Sequence, residues 1–378
     1  MLDPIVNFFT RIFQWIGRGI GLAVGVILWP FLWVGRWYTH RGWILRSVLG
    51  LALAVLVGLY AYFFWTTQRW NNFDPDYVAK YDVATRKASA GEALEPVAGA
   101  TATPGAAKTC ARSTITDVTA DLIDFNVNQN AWVPSMILSK IGFFGVPWRH
   151  TPFFDNKAAF QLGVNQAIRR TAIELVDTLG RVRGTSQIDQ NLQDARGAVT
   201  FDEETWYFGI SPFGPKTPTP SFYRSAIGHL RTFNDRLEAC NATFDARADN
   251  LVTFLDRIAS DIGSTSDMLR IRSEEYNSGW FDTRADDRFW FAYGQLYAYY
   301  GIIHATRADF QEVIQSRGLA PLWDRSEERL RAALNIMPFI ISNGNESGWI
   351  MPAHLATMGF YVLGARANLV ELRSVLDR

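Results

Sequence analysis

Charged side chains disappear from the chain between Arg46 and Arg69. The stretch RSVLGLALAVLVGLYAYFFWTTQRW, residues 46–70, holds 22 consecutive uncharged positions from Ser47 to Gln68. At a rise of about 1.5 Å per residue such a helix is about 33 Å long, enough to cross a hydrocarbon core of about 30 Å. A buried core helix seldom needs more than about 14 wholly apolar positions, so the pattern predicts one transmembrane helix over 43–68. A removable secretory leader has an apolar centre of about 7–15 residues and small residues at its cleavage site. Here the run is longer and leads into Tyr60, Tyr62, Phe63, Phe64 and Trp65. Such rings suit the lipid–water boundary. The pattern is that of an anchor.

Upstream, Asn7, Arg11, Gln14 and Arg18 recur at steps of four, three and four, with Phe9, Ile12, Phe13, Ile16 and Ile20 off that stripe. This is an amphipathic helix suited to the plane of a membrane surface, its arginines near anionic headgroups. A second apolar block, IGLAVGVILWPFLWVG (20–35), lies within the 17 uncharged residues between Arg18 and Arg36. Those span about 26 Å of helix, and Pro30 removes a backbone hydrogen bond within them. The block reads as half-inserted or interfacial, making 1–42 a cytoplasmic or interfacial segment. Arg36, Arg41 and Arg46 precede the long run, whereas only Arg69 follows closely, before Asp74 and Asp76. Basic flanks favour the cytoplasmic side. The chain from residue 70 onward is therefore expected to be exported, in bacterial terms into the periplasm. A spanning 20–35 block with the same cluster inside leads to the same side; only a two-span arrangement with that cluster outside would reverse it.

Beyond the anchor the pattern changes twice. RKASAGEALEPVAGATATPGAAK (86–108) has no amphipathic period and little to bury, so 69–110 reads as a linker. Its 23 central residues cover about 25–30 Å as a flexible coil; a packed surface loop is the other reading. Beyond residue 112 the period is helical. Phe160, Val164, Ile168, Ala172, Val176 and Leu179 are spaced by three and four, after Asp155 as a cap and before Gly180. A longer seam runs through Ala226, Leu230, Phe233, Leu237, Cys240 and Phe244, and after a slip through Leu251, Leu255, Ile258 and Ile262. A third helix opens near Thr283 and Asp286 in a capping-box-like start, buries Phe289, Tyr293, Leu296, Tyr300 and Ile303, and stops at Gly318. Two more are predicted over 326–337 and 353–376, on Leu330, Leu334 and Met337, then Leu355, Met358, Val362, Leu369 and Leu372. Sustained period-two alternation is scarce. The expected fold is all-α, a membrane-anchored helical bundle whose folded domain covers 111–378.

Charge and cysteine content narrow the class. The chain balances 37 basic against 37 acidic residues, but residues 70–378 hold 31 basic and 36 acidic ones, a formal charge of −5. That offers no electrostatic footprint for nucleic acid. Cys110 and Cys240 both fall in the part expected to be exported. In an oxidising compartment they can pair; the other reading is a free buried thiol at Cys240, on the apolar seam.

The segments PFFDNKAAFQLGVNQAIRR and FDARADNLVTFLDRIAS, with the order anchor, linker, helical domain, resemble a bacterial membrane-anchored family catalogued as domain of unknown function 2333. The resemblance implies a bacterial inner-membrane protein with a helical domain. It carries over no functional residue.

Chemistry is sparse. His150, His229, His304 and His354 sit in separate segments without metal-ligand spacing, so no metal and no cofactor is expected. GRVRG and GNESG lack the strand-to-helix context and the lysine of a phosphate loop, and no serine sits in a G-x-S-x-G elbow. Aromatics and prolines concentrate instead in GFFGVPWRHTPFF (142–154), TWYFGISPFGPKTPTPSFY (205–223) and YNSGWFDTRADDRFWF (276–291). Converging, Trp148, Trp206, Tyr207, Trp280 and Trp290 would line an aromatic groove for glycan or peptide. Otherwise they plug the ends of the bundle. Glycan cleavage needs a carboxylic acid facing a second carboxylate, for which Glu346 and Asp287 are the candidates. The reading favoured is a non-catalytic envelope binding or scaffold protein whose partners are the lipid bilayer and an envelope protein or peptidoglycan. A membrane-anchored peptidoglycan hydrolase is the alternative.

Overall fold

The computed structural model describes residues 3–86, 88–94, 108–143, 146–148, 151, 153–181, 187–348 and 350–378. His150, residues 95–107 of the expected linker and residues 182–184 of GRVRG lie outside them. The chain divides into two compact units, 1–63 and 64–378.

The first unit is helical. Helix α1 (Asp3–Thr39) runs unbroken through Pro30, and α2 (Trp43–Gln68) carries the long uncharged run. Two helical segments, Phe13–Thr39 and Trp43–Gln68, are long and apolar enough to cross a membrane. The block expected to be broken at Pro30 therefore joins the predicted span as a second candidate. An uninterrupted apolar helix tolerates the one hydrogen bond that proline removes. At the turn between the two helices the Tyr38 hydroxyl donates to the Arg46 carbonyl (2.8 Å).

The second unit begins with the last turn of α2, from Phe64. Its core is α9 (Ala285–Asp309), which has no polar face. Phe289, Ala292, Tyr293, Leu296, Ala298, Tyr299, Ile302 and Ile303 are all fully enclosed. A helix apolar all round belongs in the middle of a bundle. Around it pack α3 (Thr114–Asp124), α5 (Asn156–Glu174), α8 (Ala248–Glu275), α11 (Ala320–Ala333) and α12 (His354–Leu376); α6 (Gln190–Val199) and α7 (Thr219–Glu238) extend the layer. In chain order the short α4 (Ile137–Ile141) falls between α3 and α5 and α10 (Gln311–Ser316) between α9 and α11, and β1 (Phe208–Ile210) pairs antiparallel with β2 (Phe213–Pro215) in a hairpin. Among the described residues the bundle is all-α apart from that hairpin and isolated bridges.

The closest approach is α5 against α9. A Cβ on Gly163 would lie 2.0 Å from the Phe291 carbonyl oxygen, and one on Gly294 would lie 2.1 Å from that of Phe160. Inside the bundle, two aspartates gather polar groups from several helices. Asp261 on α8 accepts from Gln166 Nε2 (2.8 Å), Gln295 Nε2 (2.8 Å) and the Tyr299 hydroxyl (2.5 Å), tying three helices together. Asp309, at the end of α9, accepts from Ser113 Oγ (2.7 Å) and from the amides of Thr114 (2.7 Å) and Ile115 (3.0 Å). It thereby satisfies donors that the first turn of α3 would leave open.

Several expected boundaries move. The long seam is interrupted: α7 stops at Glu238, and Cys240, at φ 57°, lies in the turn beyond rather than on the buried stripe. There it is bonded to Cys110, with Cα atoms 5.3 Å apart. The third helix ends at Asp309, and Gly318, at φ 61°, terminates the separate α10 instead. Nor is the segment after α2 a free linker. Trp70, Phe73, Tyr77 and Tyr81 pack on the core, Val78 is buried, and Ala93 bridges to Cys110. These aromatics stand at steps of three, four and four, the spacing of a buried helical face, although only the short turn Tyr77–Lys80 is helical.

Candidate functional site

Two polar features stand where the chain leaves α2. The first is a lock. Lys157, in the first turn of α5, is buried and donates its Nζ to the carbonyls of Thr66 (2.9 Å) and Arg69 (2.7 Å). A cation on the last carbonyls of a helix satisfies acceptors the helix leaves open and complements its dipole. Burial lowers the Lys157 ammonium to about 8.

The second is a carboxyl pair beside it. Asp155 precedes α5 and Asp286 lies in the first turn of α9; they are 3% and 4% exposed. Both titrate above the ordinary carboxylate range: burial is the main cause, and for Asp155 the neighbouring charges of Asp286 and Asp287 add to it. No well-formed hydrogen bond from an amide or hydroxyl of the described residues reaches either Asp155 oxygen. Asn156 completes the arrangement, its amide donating to Asp286 Oδ2 (3.1 Å) and accepting from Trp290 Nε1 (3.3 Å). The pair can store one proton, but it is closed to solvent.

A pH effect follows, with a definite sign. An unfolded aspartate titrates near 4. The folded pair keeps a proton well above that, so the native state binds more protons than the unfolded chain and stability falls as pH rises from about 4 through neutrality. Asp155→Asn should flatten this slope and raise the unfolding temperature more at pH 8 than at pH 5. It flattens it only partly, because burial also raises Asp309, to about 6, and Glu174. Thermal unfolding at the two pH values checks this; parallel slopes for variant and parent would mean that the pair holds no extra proton.

An open cleft of about 450 Å³ lies on the segment following α2, between Asn72, Asp74, Asp76, Lys80, Asp121 and Gln129. Its floor is aromatic. The Tyr77 ring stacks on Tyr297 (4.5 Å between centroids), which also carries Phe73 (5.5 Å) and Phe125 (5.9 Å). Its rim is charged but paired: Lys80 Nζ meets Asp121 Oδ2 at 2.8 Å, and Arg331 Nη2 meets Asp76 Oδ2 at 2.9 Å. An adjoining cleft shares Lys80 and Asp121 and reaches Arg86 and Asp117. An aromatic floor with a hydrogen-bonding rim suits the apolar faces and hydroxyls of a sugar or an extended peptide.

The residues singled out from sequence are spread over the body. Trp290 is buried against Trp70 (5.2 Å) and Tyr293 (5.3 Å), and Trp148 against Phe154 (4.9 Å), so both fill the interior. Trp206 and Tyr207 meet edge-on (6.3 Å) before the hairpin, and Trp280 is exposed on the loop that precedes α9. Glu346 is exposed on the loop between α11 and α12, whereas Asp287 lies half-buried in the first turn of α9, beside the carboxyl pair. His304 Nδ1 lies 3.0 Å from Glu327, and His354 Nδ1 accepts from the Ser342 amide (2.9 Å). Among the described residues no three His, Cys, Asp or Glu side chains gather as metal ligands. The cleft's aromatics are scattered over the supposed linker (Phe73, Tyr77), the turn just past α3 (Phe125) and α9 (Tyr297), so no single helical stripe announces them.

No curated protein and no solved structure matches the chain. A family model described as an uncharacterized protein conserved in bacteria (DUF2333) matches residues 135–278 and 270–378, which together run from just before α4 to the C-terminus. The chain belongs to that bacterial family.

Proposed function

We propose that this is a bacterial inner-membrane protein whose apolar N-terminal helices anchor a helical body in the periplasm, where it binds or scaffolds envelope components without catalysing a reaction. The observation that carries the reading is the Cys110–Cys240 bond in a chain that opens with long apolar helices. Disulfides persist in exported compartments and are rare in a reducing cytosol, which agrees with the excess of arginine before α2. The cleft over Tyr77 and Phe73 is the place for a glycan strand or an extended peptide. Its partnered rim and the exposed setting of Glu346 speak for binding rather than turnover.

The export half is tested in cells. A C-terminal alkaline phosphatase fusion should be active, and thiol-reactive polyethylene glycol should label the native protein only after reduction. An inactive fusion together with thiols that label without reductant would refute it. For the binding half, full-length protein in nanodiscs should co-sediment with purified peptidoglycan and release no soluble fragments. Fragment release abolished by Glu346→Gln would install the hydrolase reading instead.

A further inference from the structure

Two exposed apolar tips flank the last turn of α2. One is the end of α4 and the residues after it, where Ile141, Phe143 and Val146 are at least half exposed and Phe143 and Val146 bridge to each other. The other follows α11, where Phe339 is 89% exposed and Ile340 and Met337 are exposed beside it. Contacts gather both around one point. The Phe339 ring meets Phe153 (6.1 Å), whose carbonyl accepts from Gln68 Nε2 (2.9 Å). Phe143 meets Trp148 (6.0 Å), Trp148 meets Phe154 (4.9 Å), and Phe154 meets Phe64 (5.5 Å). Lys157 fixes the same turn through the Thr66 and Arg69 carbonyls. Phe64 and Gln68 thus serve as the hub of both tips.

Sequence agrees with geometry. Residues 141–148 (IGFFGVPW) and 335–343 (NIMPFIISN) contain no charged side chain, while Lys140 and Arg69 stand exposed at their margins. Apolar tips with cations at the edge match the layering of a bilayer surface, acyl chains below and phosphates above. An exposed apolar patch on a body usually marks a partner. Here the segment at its centre is the end of the anchoring helix, which brings the lipid surface to it by covalent continuity.

We propose that Ile141, Phe143 and Val146, together with the 337–341 loop, form an apolar collar that inserts into the lipid interface around the exit of α2. This rests on the membrane-anchor reading above. The collar makes the bilayer a second, non-covalent contact of the folded body and fixes which loops face lipid and which face the envelope.

The test uses the full chain in nanodiscs. Its own cysteines are bonded to each other, so an environment-sensitive fluorophore attached under non-reducing conditions goes only to an introduced thiol: Phe339→Cys, Val146→Cys, Leu53→Cys within α2, or Ser316→Cys at the end of α10. Lipids bearing a nitroxide high on the acyl chain should quench positions 339 and 146 several-fold more than position 316. Lipids with a deep nitroxide should quench position 53. If position 53 is quenched while 339 and 146 behave like 316, the collar is overturned and the anchor stands. If position 53 is not quenched, the anchor reading fails and the collar with it. If the Phe339→Cys variant cross-links between copies and its label stays unquenched, a second copy covers the tip, and the proposal is again overturned.

Discussion

Alanine at Gly163 or Gly294 should cost the folded body about 3 kcal/mol, the upper end for overpacking a core. The reason is the crossing of α5 and α9. Each glycine faces a backbone carbonyl of the other helix, at 2.0 Å and 2.1 Å from where its Cβ would sit. Backbone cannot swing aside as a side chain can, so the helices must separate. Separation reaches further than the crossing itself, because Phe160 on α5 packs on Tyr293 (6.2 Å) and Tyr297 (5.4 Å) of α9, and Asp261 holds both helices through Gln166 and Gln295. The double variant should cost less than the two single costs added, since one separation makes room for both methyls. Gly197→Ala is the control. That glycine is exposed on α6 with nothing near its Cβ position, so alanine should stabilise by about 0.5–1 kcal/mol. Urea unfolding of the full chain in detergent reads all four. A Gly163→Ala midpoint equal to that of the parent would show that the helices do not approach this closely.

The glycines illustrate what the sequence could and could not announce. Hydrophobic spacing located α5, α7, α8, α9 and α12 because each buries a stripe of Leu, Ile, Val and aromatic residues at steps of three and four. It merged α7 with α8, since Cys240 and Phe244 continue the spacing across the non-helical residues 239–247, where Cys240 takes a positive φ. It missed α3, whose TITDVTADLID is half Thr and Asp, residues that compete with the helical backbone. There the Ser113 cap, accepting from the Thr116 amide, was the available sign. Nothing in the order of residues shows that Gly163 and Gly294 face each other, or that Asp155 meets Asp286 across 131 positions. Asp155 was legible as the residue before α5, though its side chain makes no capping bond, and Asp286 as a first-turn acid; their meeting is a product of the helix crossing. The cleft was hidden for a similar reason, its floor being assembled from single aromatics on three separate segments.

Breaking the Cys110–Cys240 bond should be the other large effect, a loss of about 2–5 kcal/mol. The two cysteines are 130 residues apart, and closing a loop of that length in the unfolded chain corresponds to about 5 kcal/mol in the chain-entropy estimate. The loop contains α3 to α7. Its native ends are held by more than sulfur: the Cys110 amide donates to the Glu238 carbonyl (2.8 Å), and Arg112 Nη1 meets both Asp235 and Glu238 at 2.7 Å. Those contacts survive loss of the bond, so the native fold should persist and the cost should fall on the unfolded side. Cys110→Ser, Cys240→Ser and the double variant should therefore unfold at one midpoint, within about 0.5 kcal/mol, and the parent should join them when reduced. Denaturant titrations with and without reductant check this. A parent midpoint that ignores reductant would mean the thiols are unpaired in the folded protein. The argument for an oxidising compartment would then lose its strongest support, leaving only the arginines before α2 to argue for export.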